Sequence, residues 1–423
     1  MINAEFFCLF EQKTIIVVME TNEALQKLSP KLPLTSAQAA LVDQIMDFIK
    51  AHLTSNYPAF FSIYGEAGTG KSVLLSNLFD RIQLAAKRQT GLLRGTNNYF
   101  LVNHPELLKV YKQIAGEFPE LLKKNYQRPT SFINQLTKKH QTADIVVIDE
   151  AHLLLSKPDH YNNFYYDNQL VEIIKRSKIV VLVFDPQQVL RMKSLWTTKR
   201  LEKITHQFPH VDYHLRRQFR LQAPSILLQW FDDLADGTIK PIPKIDRTQY
   251  DFRIFTDAEA MRQEIVKRND EVGLSRILST SGYPSTLDGG KHYIREGRFK
   301  MPWDQYNFTQ TPWAEIPSTI NEVGSIYTCQ GFDLNYAGII IGPPFVEQAG
   351  TAHLQVDLTK ITDTEMFKRR DDLTDPKRTH ELEIAMVRNA LNVLLKRGVH
   401  GTYLYAHDPL LRQTLMNYYQ QAV

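Results

Sequence analysis

Cysteine is nearly missing from this chain: 423 residues contain two, Cys8 and Cys329, far apart in sequence. That excludes a disulfide framework, argues against a zinc site, and fits a reducing compartment, the cytoplasm. Long apolar runs are missing too. The first twenty residues hold two short ones, at 6–10 and 14–19, split by Glu11-Gln12-Lys13. Neither is long enough to cross a bilayer and no cleavage pattern follows, so they read as short strands and no membrane partner is expected. Net charge is small, +4 with histidine neutral, so no global basic field demands a nucleic acid and any basic surface must be local. There is no internal repeat and no low-complexity tail. With 43% hydrophobic and 23% charged residues, the composition is that of a globular protein, long enough for two or three domains.

One segment stands out from this ordinary background. Gly65-Glu66-Ala67-Gly68-Thr69-Gly70-Lys71-Ser72 follows the apolar run Phe60-Phe61-Ser62-Ile63-Tyr64 and precedes a helical run from Val73. This is the Walker A pattern in the order strand, glycine-rich loop, helix. Backbone N–H groups from Gly65, Ala67, Gly68, Thr69 and Gly70 can turn inward around a phosphate, and the next helix aims its positive end at the same point. Lys71 is placed to reach the β- and γ-phosphates of ATP, and the Ser72 hydroxyl to hold Mg²⁺.

Downstream, Val146-Val147-Ile148-Asp149-Glu150-Ala151-His152 is a strand ending in two acids. Asp149 is the expected second Mg²⁺ ligand, and Glu150 the general base for the attacking water. Two carboxylates at a buried strand end are costly unless a cation or proton sits between them. A solvated helix start capped by aspartate is the plain alternative for an isolated Asp-Glu, and the upstream glycine loop disfavours it.

Strand-like and helical runs alternate along the chain, which implies an α/β fold of parallel sheets with crossover helices. An amphipathic helix is expected over 35–52, and strands over 99–102, 144–148 and 179–184. The region 237–247 carries Pro241 and Pro243 without periodicity and reads as a linker. These features divide the chain into an N-terminal extension (1–33), an ATP-binding domain (34–245) and a second domain (246–423). Within the second, 283–316 is aromatic and polar and reads as an insertion or extended loop. The αβ series resumes at 325–327 and 337–341 and closes with a helix over 381–397 and a strand over 402–406.

Further motifs follow in a fixed order. Val183-Phe184-Asp185-Pro186-Gln187-Gln188 ends the next strand, and Leu215-Arg216-Arg217-Gln218-Phe219-Arg220 comes after it. Tyr327-Thr328-Cys329-Gln330-Gly331-Phe332-Asp333 and the stretch from Val387 to Gly398 lie in the second half. As an ordered set, from about Leu34 to the C-terminus, these resemble superfamily 1 helicases of the UvrD/RecD type, and more closely the Schlafen-type DNA/RNA helicase domain family, catalogued from bacterial proteins. The resemblance implies two RecA-like P-loop NTPase domains and hydrolysis of ATP with Mg²⁺. It places Gln38 at the adenine edge, Gln188 as the γ-phosphate sensor, and Arg220 and Arg397 as arginines reaching the γ-phosphate. Thr328, Gln330 and Gly331 would face both nucleotide and strand, and Asn103 and His104 the sugar-phosphate backbone. The chain departs from the pattern at Lys396, where threonine is usual before the arginine, at Leu153 and at Asp333. Arg388 is a rival for the finger role, although helix spacing puts it on a different face from Arg397.

Trp303, Trp313, Tyr283, Tyr293 and Tyr306, beside Lys291, Arg295, Arg298 and Lys300, suggest a basic aromatic loop in which Trp303 could stack bases. The competing reading, preferred by a small margin, is that the aromatics anchor the loop to the core. The function expected from the resemblance is a nucleic-acid-dependent ATPase of helicase type, monomeric, acting on single-stranded DNA or RNA. An ATP-driven nucleic-acid sensor or regulator that binds without unwinding is the alternative. A P-loop ATPase acting on protein partners alone has no need of Gln38, Thr328, Gln330 and Arg397.

Overall fold

The computed structural model describes residues 28–65, 68–215, 222–284, 290–329, 332–363 and 365–422. The two N-terminal apolar runs and Cys8 lie outside them. In chain order the first half comprises α1 (Ser36–His52), β1 (Ala59–Tyr64), α2 (Lys71–Lys87), β2 (Asn98–Val102), α3 (Pro105–Glu117), β3 (Tyr126–Gln127), α4 (Pro129–Lys139), β4 (Ala143–Asp149), α5 (Gln169–Ile174), β5 (Ser177–Phe184), α6 (Thr198–Thr205), β6 (His210–His214) and α7 (Ser225–Ala235). The second half comprises β7 (Asp251–Ile254), α8 (Ala258–Val272), β8 (Arg276–Ser279), β9 (His292–Glu296), β10 (Phe299–Trp303), β11 (Val323–Gly324), α9 (Ile326–Cys329), β12 (Leu334–Ile341), β13 (Phe345–Gln348), β14 (His353–Val356), α10 (Pro376–Leu395), β15 (Gly398–Ala406) and α11 (Pro409–Ala422).

Two parallel sheets result. The first is six-stranded in the order β3-β2-β4-β5-β1-β6, every pairing parallel. Its central strands are buried on both faces, which is why β1, β4 and β5 read as nearly continuous apolar runs. Along β1, Phe60 and Tyr64 join one core, while Phe61 and Ile63 join the other with Leu74, Leu75 and Leu78 of α2 and Leu41, Val42 and Ile45 of α1. The second sheet is seven-stranded in the order β7-β15-β12-β8-β11-β10-β9, parallel except for the antiparallel β9–β10 pair. This is the α/β, RecA-like architecture expected, with helices on the faces of both sheets.

Two expectations need correction. Residues 283–316 are not one extended loop: β9 and β10 form a hairpin that extends the second sheet, and β10 pairs with β11 through Trp303 and Val323. The series resumes with a strand at Val323–Gly324, and Ile326–Cys329 is a turn of helix.

The two sheets, called lobes here, share one core. Val189, Leu190, Met192 and Trp196 pack in the same cluster as Ile326, Met366, Met386 and Leu391. Polar cross-links reinforce it. The buried Arg370 guanidinium donates to Ser156 O at 3.0 Å, Ser156 Oγ at 2.9 Å and Met192 O at 2.7 Å. Lys193 lies 2.9 Å from Asp159 and 3.0 Å from Glu365. Arg191 sits 3.7 Å from the centre of the Tyr327 ring, whose hydroxyl donates to Asp363.

Candidate nucleotide site and the cleft beside it

The glycine loop leaves β1 at Gly65, and two of its glycines hold positive φ: Gly68 at 84° and Gly70 at 75°. Side chains rarely adopt that backbone. Gly70 is also crowded, since a Cβ there would stand 2.5 Å from Gln38 Nε2. The Gln38 amide therefore lies against the loop. Its placement comes from a capping box: Thr35 Oγ1 accepts from Gln38 N, and Gln38 Oε1 accepts from Thr35 N at 3.0 Å. Thr69 is buried beside the loop, and Ala67 lies outside the described residues.

Lys71 begins α2 and is buried. Its Nζ donates to Gly65 O at 2.7 Å and stands 3.9 Å from Asp185 Oδ2. Asp185 closes β5, accepts from Gln187 N, and takes 2.7 Å from Gln188 Nε2. Gln188 is thus held beside Lys71 through a shared carboxylate.

Asp149 ends β4, fully buried. Burial, then the neighbouring Glu150, pushes its carboxyl up to about 6, against the pull of Tyr111, Lys71 and the Ser72 hydroxyl. Tyr111 of α3 donates to Asp149 Oδ2 at 2.7 Å, and Glu150 N donates to Oδ1 at 3.0 Å. Ser72 Oγ and the Asp149 carboxylate are hard oxygen donors side by side, and the raised acid marks a point short of positive charge. This donor set fits Mg²⁺.

Glu150 has φ 54° and ψ 50°, a left-handed backbone that a side chain enters only at a cost. The strain turns its carboxylate toward His152, with Oε2 3.1 Å from Nε2. Burial, together with Lys71 and Arg397, lowers the His152 imidazole to about 3. It is therefore neutral and contributes no charge to Glu150.

The second-lobe residues are placed differently. Arg397 is buried near His152, His104 and Cys329, close enough to bias their protonation. Its Nε donates to Val393 O and its Nη1 to Phe332 O, both at 3.0 Å. Lys396 leaves on another side, where Nζ pairs with Asp232 of α7 at 2.5 Å and shares that carboxylate with Asn392. The departure at Lys396 is thus occupied by a packing role. Arg388 lies against Gly237, where a Cβ would meet its Nη2 at 2.6 Å. Arg220, Gln330 and Gly331 lie outside the described residues.

The residues assigned to the strand are mostly turned inward. Asn103 Nδ2 donates to Leu153 O at 2.6 Å. His104 is buried at the N-cap of α3, its Nδ1 accepting from Leu107 N, and burial lowers it to about 3. Thr328 is buried and donates to Ser325 O at 2.9 Å. Trp303 needs correction: it is 4% exposed, packed with Tyr283 and Val323 in the core of the second sheet, and cannot stack a base there. Trp313 is also buried, its backbone N–H held by Glu106 at 2.8 Å. Among the described aromatics of 283–316, Tyr306 and Phe308, 69% and 86% exposed with ring centroids 4.5 Å apart, are the most exposed.

Sequence reasoning missed Tyr111 and Asp185 as members of the site. The only signal for Asp185 was its position at a strand end. Tyr111 gave none, being one aromatic on an amphipathic helix.

A glycine loop, a lysine–serine pair and two acids gathered at the strand ends of a parallel sheet, facing a second such sheet, define a P-loop NTPase core of helicase type. The chain belongs to the Schlafen group 3, DNA/RNA helicase domain family, whose model matches residues 58–408. It is 38% identical over 429 residues to the uncharacterized protein YPL245W of Saccharomyces cerevisiae, covering 94% of this chain and 93% of that one. Among solved structures it is similar to the Pif1 helicase from Candida albicans (12% identity, TM-score 0.36, 93% of this chain and 100% of that chain). It is also similar to arterivirus nonstructural protein 10, a helicase (11% identity, TM-score 0.35, 88% of this chain and 64% of that chain). Neither score reaches 0.5, so neither structure bears on function.

Proposed function

We propose that this protein is a nucleic-acid-dependent ATPase that uses ATP and Mg²⁺ to translocate on, or unwind, DNA or RNA. The observation that carries the reading is the convergence of Lys71, Ser72, Asp149, Glu150 and Gln188 at the strand ends of the first sheet. Gly65, Gly68, Thr69 and Gly70 would cradle the phosphates, with Ala67 in the same loop, and Gln38 lies where it would meet the base. Ser72 and Asp149 would hold Mg²⁺, which when bound screens the phosphate charge. Glu150, 3.1 Å from the neutral His152, would accept the proton of the attacking water.

The boundary near 245 separates the two halves of this machine in our reading. Arg397, with Arg220 from the first half, would reach the γ-phosphate only after Arg397 exchanges its backbone carbonyls for phosphate. A strand bridging the lobes would meet Asn103, His104 and Thr328, and Gln330 and Gly331 of the same sequence motif, once the inward-turned side chains are released. Membership of a DNA/RNA helicase domain family supports nucleic acid as the partner.

The test is steady-state ATP hydrolysis with and without single-stranded DNA and RNA, with Lys71→Ala and Glu150→Gln as controls. Stimulation by one polymer, lost in both variants, is the expected result. Hydrolysis indifferent to both polymers would refute the proposal. One observation favours a second reading, a sensor that binds without unwinding: the lobes are pinned by Arg370, Lys193 and a shared apolar core. Stimulated ATPase without strand separation on a tailed duplex would select it.

A further inference from the structure

β6 is an edge strand of the first sheet, and beside it lies a cluster the nucleotide site does not use. His206 caps the C-terminus of α6, while His210 and Asp212 alternate onto one face of β6. Their donor atoms all lie within 4.8 Å of one another. His206 Nε2 is 2.7 Å from Asp212 Oδ2, and the two imidazoles stack with centroids 4.0 Å apart. His210 Nδ1 is 2.9 Å from Phe208 O, a carbonyl that can only accept. The proton is therefore on Nδ1, which leaves Nε2 with a free lone pair, the arrangement by which an outer carbonyl orients a metal-binding histidine.

The floor of the cluster supplies a second, independent observation. Asp212 Oδ1 is buried without a hydrogen-bond partner, beside Ser62 on the paired strand β1. Buried polar atoms are seldom left unsatisfied. A carboxylate with one oxygen unmatched, fronted by two exposed imidazoles, calls for a cation. Two nitrogens and one carboxylate suit zinc, copper or nickel rather than Mg²⁺ or Ca²⁺, which prefer oxygen throughout.

We propose that His206, His210 and Asp212 form a divalent transition-metal site of the zinc class, three protein ligands with a fourth position open to water. Tetrahedral zinc with nitrogens at about 2.0–2.1 Å sets its donors roughly 3.3 Å apart, so the cluster must contract slightly. Both imidazoles are exposed, and rotation about their side-chain bonds supplies that. The metal is structural: it staples the end of α6 to an edge strand that, among the described residues, pairs with β1 alone. β6 then runs to Leu215, whose N–H donates to Tyr64 O at 2.8 Å beside Gly65. The scarcity of cysteine argued against a zinc site, but the spacing His-x₃-His-x-Asp needs no cysteine.

The test uses the full chain without a polyhistidine tag, stripped with chelator and titrated with Zn²⁺ against a chromophoric competitor. Co²⁺ absorption is read on the same protein. One equivalent of zinc, tetrahedral cobalt bands and a zinc-dependent rise in melting temperature are expected. The double variant His206→Ala/His210→Ala should bind at least ~100-fold more weakly and lose the melting shift, and Asp212→Asn should weaken binding by about 10–100-fold. Melting curves in chelator should match for all three. No binding by the wild type at micromolar zinc would reduce the cluster to a His206–Asp212 ion pair and overturn the proposal. Unchanged stoichiometry and affinity in the double variant would overturn it as well.

Discussion

On the first lobe's side of the cleft, Lys71 donates to one carbonyl, Gly65 O, 3.9 Å from Asp185, while Asp185 holds Gln188 and Asp149 is shared by Tyr111 and the Glu150 N–H. Across from them Arg397 is satisfied by Val393 O and Phe332 O of its own lobe. The first arrangement is ready to exchange. Lys71 can leave a carbonyl for a phosphate, and a carboxyl raised to about 6 gains when a cation arrives. The second arrangement must break two backbone hydrogen bonds before it can serve a nucleotide. The difference teaches that, in the proposed function, binding would be local to one lobe while fast turnover would have to recruit the other, so that a strand spanning both would stimulate hydrolysis.

The largest effect should come from the ready side. Lys71→Ala should reduce ATP hydrolysis to background and weaken nucleotide binding, as read by steady-state turnover and fluorescent-nucleotide titration. Glu150→Gln should lower kcat by about 10²–10⁴ while ATP still binds. If binding were lost as well, Glu150 would belong to the nucleotide cradle rather than to proton transfer. On the packed side of the second lobe, Trp303→Ala should destabilise the fold by about 3–5 kcal/mol in denaturant melts, the cost of emptying a buried aromatic. Tyr306→Ala with Phe308→Ala should leave stability within about 0.5 kcal/mol, since both rings are exposed. Equal stability losses in the two experiments would erase the contrast between buried anchors and exposed aromatics.

A smaller effect follows from Asp149. Its folded-state pKa is raised, so its ionised form opposes folding: stability from the neutral acid is complete below about pH 4 and lost as pH rises through about 6. Asp149→Asn should therefore raise the melting temperature of the metal-free protein at pH 7.5 by a few degrees, and by less at pH 5. Mg²⁺-dependent nucleotide binding should fall at the same time. A lower melting temperature at pH 7.5 would mean the carboxylate stabilises the fold.

Legibility in the sequence followed burial and locality. β1, β4 and β5 are continuous apolar runs because both faces of the first sheet are covered, and their ends carry the nucleotide motifs. β6 passed unread because His-Val-Asp-Tyr-His at a half-exposed edge lacks that signature. β9 and β10 hid in a polar aromatic stretch, and β8 is only four residues long. Tyr111 was invisible because its partner Asp149 is 38 residues away, a contact that tertiary packing alone creates. The inward turn of His104, Thr328 and Trp303 was hidden for the same reason: motif spacing gives a residue's place along the chain, whereas packing decides which way its side chain faces.

The central claim, that the first lobe binds and the second must be recruited, is tested most directly by Arg397→Lys. The substitution keeps a positive charge but loses the planar fork. The measurement is the ATPase rate with and without the stimulating polymer, beside nucleotide affinity on the same preparation. The account predicts unchanged affinity and a stimulated rate lower by about 10²–10³, with the unstimulated rate barely moved. A stimulated rate equal to that of the wild type would contradict it.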